Sequence, residues 1–251
     1  MKRTSTLAIL TLLSILLASC SISTDDPFPT PAPTVTAVPT LLADALSVGK
    51  LLARVETAWP SVQSMRTTFW STEAADGGTP PATGMVTVEE VVLPASRRVV
   101  VLSDGMPTDE QIAVDGRIYM KGALVPAAIA PLVNAETWVE VDPAAASTDS
   151  PVAMQVSYLL SAIVSPFSSI SPETAGQEAI AIGEVIIGDR TCQGYTFGDA
   201  GGILYELTLD ERNLPCRLVQ KAGASANVTV YDFNIAGLAI AAPDVATPPA
   251  D

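Results

Sequence analysis

The sequence predicts an α+β domain in which a few helices pack on an antiparallel sheet of about ten strands. Two observations carry this. From Leu41 to Met65 the apolar residues recur at spacings of three and four, the period of a helix. Beyond Met65 the chain breaks into short Val-, Ile- and Thr-rich runs separated by Gly, Pro and Asp, the pattern of strands and turns.

The first helical stripe is Leu42, Leu46, Leu51, Leu52, Val55, Trp59 and Val62, interrupted by Gly49 and Pro60, so one kinked helix or two shorter ones are expected. Strands follow at 66–72, 84–93 and 97–103. Residues 111–114 and 117–121 flank Asp115-Gly116, a strong short hairpin signal. A further strand is expected at 137–141. Ala123 to Val133 is nearly all apolar and carries Pro126 and Pro131. Residues 151–167 read as a helix with Val152, Val156, Leu159, Leu160 and Ile163 and little polar surface, so it is buried or faces something apolar. Runs at 180–187, 191–198, 203–209, 216–221 and 227–235 form a closing meander. In the third of these, Tyr205, Leu207 and Leu209 alternate with Glu206, Thr208 and Asp210, which suggests one buried and one wet face.

The ends of the chain differ from this middle. Met1-Lys2-Arg3 precedes an apolar run from Leu7 to Leu17, too short to cross a bilayer core of roughly 20 residues. The run ends Leu17-Ala18-Ser19-Cys20, which resembles the lipobox of bacterial lipoproteins. That resemblance implies a signal peptide over 1–19 and acylation of Cys20, with chains such as palmitate anchoring the mature protein to a membrane. Residues 20–40 carry Pro27, Pro29, Pro31, Pro33 and Pro39 and read as an extended tether. The folded domain is assigned to 41–243 and a disordered tail to 244–251. The implied location is the extracytoplasmic face of the cell membrane, or the outer membrane of a cell that has one.

Charge and composition exclude several functions. Losing Lys2 and Arg3 with the signal lowers the basic count from 13 to 11 against 27 acidic residues, a mature net charge of −16. Nucleic acid as a partner is excluded by so acidic a chain. With no His, neither Ser-His-Asp nor Cys-His catalysis is available, and the commonest metal ligand is missing. No G-x-S-x-G or phosphate-binding Gly loop appears. The expectation is therefore a protein without enzymatic activity, metal or cofactor. The acidic pairs Asp25-Asp26 and Glu89-Glu90 have a simple explanation: the first lies in the tether, and one of two adjacent strand residues faces solvent.

Cys192 and Cys216 remain once Cys20 is acylated. An even pair in an exported domain suggests a disulfide. If their strands flank 203–209, however, they stand two strand spacings apart, about 9.6 Å, whereas a bridge needs Cα atoms within about 7 Å. A bend or bulge, or a place for Cys216 in the turn, would reconcile the two; the alternative is two buried thiols.

Taken together, the helix-then-strands opening, the apolar helical insertion and the closing meander look like the LppX/LprG-type lipoproteins with their LolA-like fold. The most telling stretch is Tyr205-Glu206-Leu207-Thr208-Leu209-Asp210-Glu211-Arg212-Asn213-Leu214-Pro215, followed by Cys216-Arg217-Leu218. Val228 to Asn234 with Ala242-Pro243, and Leu51 to Phe69, are similar to the family's last strand and first elements. The resemblance spans roughly residues 41 to 243. It implies a curved antiparallel half-barrel capped by helices over an apolar cavity, and a partner consisting of the acyl chains of lipids or lipoproteins, carried or presented at the envelope. Trp70, Met85, Ile118, Met120, Leu159 and Ile163 are the candidate lipid-binding residues, chosen by position and apolarity; each could equally fill a solid core. The competing function is an envelope sensor or adaptor that binds a protein partner through the same domain, with no lipid ligand.

Overall fold

The computed structural model describes residues 46–245 apart from 74–78, 123–124, 126–135, 144–150, 168–171 and 200. The signal peptide, Cys20, the tether, most of the 123–133 run and the last six residues lie outside the described residues. Residues Ala43–Asp251 form one compact unit, which holds every described strand and helix and the whole of each core cluster.

The order of elements is α1 (Val48–Ala58), a 3-10 turn (Trp59–Ser61), β1 (Ser64–Thr72), β2 (Met85–Val92), β3 (Ser96–Ser103), β4 (Met106–Val114), β5 (Arg117–Gly122), β6 (Val139–Val141), α2 (Pro151–Leu160), α3 (Pro172–Ala175), β7 (Ile180–Ile187), β8 (Arg190–Gly198), β9 (Leu204–Leu209), β10 (Pro215–Ala222) and β11 (Ser225–Phe233). Asp115 (φ 51°) and Gly116 (φ 75°) turn β4 into β5 with both central residues left-handed, as the Asp-Gly signal predicts.

All eleven strands join one antiparallel sheet in the order β6-β5-β4-β3-β2-β1-β11-β10-β9-β8-β7. It is two meanders side by side. The chain walks outward from β1 to β6, crosses through α2 and α3 to the far edge, and walks back from β7 to β11, which pairs with β1. The sheet is curved and does not close into a barrel, since β6 and β7 remain edges. This is the α+β architecture the sequence predicts, and the eleven strands fall one for one on the eleven runs read from it.

Both longer helices pack on one face. Ser47 caps α1 by accepting from the Lys50 backbone N–H at 3.2 Å. Its buried stripe Val48, Leu51, Leu52 and Val55 meets Met65, Val91, Leu207, Leu209, Leu218 and Tyr231. The helix runs unbroken through Gly49, where an added Cβ would stand 3.1 Å from the Ala175 carbonyl oxygen of α3, so glycine permits that close approach. Pro60 ends it in the 3-10 turn.

The inner side of α2, Val156 and Leu159, covers Val99, Ala113, Ile118, Met120 and Val141 of the first meander. The helix stops at Leu160 instead of running to 167. Its Tyr158 carbonyl is taken by the Ser161 backbone N–H at 3.1 Å, by the Ser161 hydroxyl at 2.7 Å and by the Arg97 guanidinium. A cation at the negative end of a helix is stabilising, so β3 itself fixes where α2 ends.

On the opposite face Trp70, Val86, Val219, Ala226 and Val228 form one cluster, and Ile112, Val114 and Tyr119 another. A ladder of alternating charges crosses this face: Arg66 to Glu90 at 2.7 Å, Glu90 to Arg98 at 3.3 Å, Arg98 to Glu110 at 2.5 Å and Glu110 to Lys121 at 2.9 Å. The expected wet face of β9 is filled as well. Thr208 is fully buried, and Glu206 pairs with Arg217 at 2.8 Å and Lys221 at 3.2 Å, because long basic side chains from β10 lie over it.

Cys192 and Cys216 form a disulfide, with Cα atoms 6.6 Å apart. The bulge allowed for in the sequence is what makes it fit. Pairing of β9 with β10 jumps from Pro215 to Arg217, leaving Cys216 out of register, and β9 ends at Leu209 opposite Gln193, before it would separate the two cysteines.

Candidate functional site

The helix-bearing face is organised in rows set by strand register. One row runs Phe233, Met65, Val91, Arg97, Ala113, Ile118, Val141; the next runs Tyr231, Thr67, Glu89, Val99, Gln111, Met120, Val139. Alternate residues along each strand share this face. Towards β6, α2 covers the rows and closes them into core. Towards the centre, α1 and α2 leave a gap over β1, β2, β3 and β11, and there the structure has a cleft of about 760 Å³.

The cleft wall is mixed. Met65, Phe69, Val91, Val99 and Val101 give an apolar floor, and Thr67, Thr87, Thr229 and Gln111 set polar groups among them. The roof is the end of α2 and the segment after it, with Gln155, Tyr158, Ile163 and Val164.

One charged pair stands in the wall. Arg97 Nε lies 3.0 Å from Glu89 Oε1, with their side chains 7% and 16% exposed. The contact is an ion pair without hydrogen-bond alignment, and Nε–H has no hydrogen-bond partner among the described residues. The Tyr158 hydroxyl donates to the same Glu89 oxygen at 2.8 Å, and Arg97 also donates to Ser161 Oγ at 3.2 Å. Burial, then the nearby Glu89 carboxylate, pushes the Tyr158 hydroxyl well above the ordinary tyrosine value, so it remains a donor at any physiological pH.

The structure places the six candidate lipid-binding residues differently from one another. Ile163 lines the cleft. Ile118, Met120 and Leu159 share its face but are packed shut beneath α2, at 0%, 0% and 3% exposure. Met85 is 66% exposed at the start of β2, beyond the cleft. Trp70 lies on the other face, in the cluster with Val86 and Val228; the cleft-facing aromatic is its neighbour Phe69. Strand alternation is the reason, since a shift of one residue exchanges faces.

The polar half of the site, Glu89, Arg97, Gln111 and Tyr158, was not singled out from sequence. A signal was present. Adjacent like charges within a strand, Glu89-Glu90 and Arg97-Arg98, put one charge on each face. The simple explanation of Glu89-Glu90 fails on both sides, for Glu90 is only 7% exposed inside the charge ladder and Glu89 faces the cleft. Ser47-Val48-Gly49-Lys50 has Ser-x-x-Lys spacing, against the expectation that none occurs. It is a helix cap, and neither residue lines the main cleft.

Fold and site together define an open, curved antiparallel sheet with helices on one face and a part-apolar cleft beneath the end of α2. No family model matches the chain, and no curated protein matches it. Among solved structures it is similar to the lipoprotein LppX of Mycobacterium tuberculosis, at 9% identity and a TM-score of 0.48 over 77% of this chain and 98% of that one. It is also similar to LprF of Mycobacterium bovis, at 11% identity and 0.47 over 78% and 96%, and to MucB in complex with MucA(peri), at 15% and 0.36 over 76% and 57%.

Proposed function

We propose that the protein is a membrane-anchored extracytoplasmic lipoprotein that binds lipid acyl chains in the cleft and carries or presents them at the cell envelope. The observation that supports this reading is the cleft itself. Its size falls within the ~300–1,000 Å³ of small-molecule sites, and its exposed or part-exposed apolar lining, Phe69 and Val101 below with Ile163 and Val164 above, offers apolar contact. Burying about 200 Å² of an acyl chain there contributes roughly 5 kcal/mol at about 25 cal/mol per Å². The chemistry required is binding, without a catalytic step or a cofactor.

Residues 43–251, made in an oxidising compartment and purified without detergent, should release lipid on organic extraction, read by mass spectrometry. A bare extract, together with no uptake of added acyl compounds, would sink the proposal. The anchor has its own test: Cys20→Ala should move the protein from the membrane to the soluble fraction, and continued retention would refute acylation at Cys20.

A second reading, an adaptor for a protein partner, draws on the edge strand β7, where Ile180, Ile182 and Ile186 are 57%, 46% and 74% exposed. A pull-down with the domain, compared with one carrying Ile182→Lys and Ile186→Lys, would separate it. A partner lost on those substitutions while lipid still co-purifies would show that the edge, and not the cleft, makes the protein contact.

A further inference from the structure

Gln111 is 1% exposed, and among the described residues neither its Nε2 nor its Oε1 has a hydrogen-bond partner. It lies on β4 between Val99 of β3 and Met120 of β5, in the row that carries Thr67 and Glu89, and it lines the cleft. A buried amide with both ends unpaired is destabilising, because the group gives up its hydrogen bonds to water and gains none in return. Methionine or leucine would fill the same space without that cost. Polar groups that the fold leaves unsatisfied at a cavity wall are available to a ligand.

The charge in the cleft is already balanced. Glu89 and Arg97 are the charged lining residues, paired at 3.0 Å. The Arg97 guanidinium is further held under the Tyr158 ring, 4.5 Å from its centroid, and against the end of α2. It is therefore not a free cation for a carboxylate or phosphate. The cation nearest Gln111 by register is this same Arg97, diagonal to it on the adjacent β3 and already engaged by Glu89 of β2, so an anion seated at Gln111 would find no unpaired positive charge among the described residues of the cleft wall.

We infer that Gln111 fixes the polar end of the bound ligand, with Nε2 donating to an ester or amide carbonyl and Oε1 accepting from a hydroxyl or N–H, and that the cleft thereby selects uncharged acyl compounds over ionised ones. This rests on the acyl-binding reading above and goes beyond it by naming the recognising residue and the charge state it recognises.

The test uses residues 43–251 and two probes with one chain length, 1-monopalmitoylglycerol and palmitate, each displacing an apolar fluorescent reporter at pH 8. The wild type should bind monopalmitoylglycerol at least roughly tenfold more tightly than palmitate, since an unpaired charge is costly to bury. Gln111→Met should weaken monopalmitoylglycerol roughly fivefold relative to palmitate, the worth of about one hydrogen bond. Equal binding of the two probes by the wild type overturns the inference while leaving the acyl-binding reading intact. So does a Gln111→Met chain that keeps the wild-type preference. Should that variant not fold, the wild-type ratio decides alone. A wild type that takes up neither probe nor reporter overturns both readings.

Discussion

The guanidinium carbon of Arg97 lies 4.5 Å from the centre of the Tyr158 ring, and the two side chains converge on one carboxylate oxygen, that of Glu89. The arrangement joins three elements: β2 supplies the acid, β3 the base and α2 the ring. It holds the roof of the cleft to its floor at the point where α2 ends.

Removing one member should therefore loosen the roof. Arg97→Met leaves Glu89 uncompensated and should cost about 3 kcal/mol, as expected when a buried ion pair loses one partner. The double substitution Arg97→Met with Glu89→Leu should recover most of that loss. Tyr158→Phe keeps the ring over Arg97 and removes one hydrogen bond, for about 1 kcal/mol. Urea denaturation reads all three, and amide exchange in α2 should quicken in the order Tyr158→Phe, then Arg97→Met. An Arg97→Met protein as stable as the wild type would show that the pair does not hold the roof.

The charge ladder on the opposite face makes stability depend on pH. Burial alone would raise the Glu110 carboxyl, but hydrogen bonds from Lys121 and Arg98 outweigh it and hold the group below its ordinary value of 4.5. A carboxyl with a lowered folded pKa stabilises the protein above its unfolded value, and that contribution is lost as pH falls through the folded value. Unfolding free energy should thus fall as the pH drops below about 4.5. Glu110→Gln should cost about 2 kcal/mol at pH 7 and flatten the slope on the acid side. Equal slopes for the two proteins would mean that other carboxylates set the acid limb.

Much of the fold was legible in the sequence, because strands and turns are local. Asp115-Gly116 specifies its hairpin within four residues, and the α1 stripe specifies its buried side. Both cysteines were read as a pair, though the bulge that lets them meet depends on where β9 stops. The cleft was less legible, for it depends on which face each strand presents and where a helix stops covering it. Phe69 and Trp70 are equally aromatic and adjacent; only the pairing of β1 with β2 and β11 shows which one faces the cleft. Val99 and Val101 face the same way on β3, yet α2 covers the first and leaves the second part-exposed at the cleft wall. The end of α2 at Leu160 is set by Arg97, sixty-odd residues earlier in the chain, and no local pattern contains that contact.

The disulfide closes a loop with a sequence separation of 24 between its cysteines, in the meander that α1 covers. Replacing both cysteines by alanine should cost about 3 kcal/mol, from the chain entropy of a loop of this length. The loss should appear in chemical denaturation of the oxidised wild type against the double variant. Neither β8 nor β10, the strands that carry the two cysteines, lines the cleft, so uptake of an acyl reporter by the folded double variant should be unchanged. Reduced uptake by folded protein would mean that β8 and β10 shape the cleft through their neighbours, although neither lines it.

The two faces of β1 offer a clean separation of packing from binding. Trp70 is 1% exposed in the cluster with Val86, Val219 and Val228, and Trp70→Ala should cost about 3–5 kcal/mol through lost burial and an unfilled cavity. Its side chain points away from the cleft, so reporter uptake per folded molecule should not change. Thr87 and Val101 flank one another across β2 and β3 on the cleft face, and both line the cleft. Thr87→Trp or Val101→Trp puts a large ring into that space without removing core, so stability should hold within about 1 kcal/mol while uptake falls at least severalfold. The contrast is what matters: loss of uptake should follow the residues at the cleft and not the loss of stability. If Trp70→Ala abolished uptake in folded protein and Val101→Trp left it untouched, the ligand site would have to be sought on the other face of the sheet.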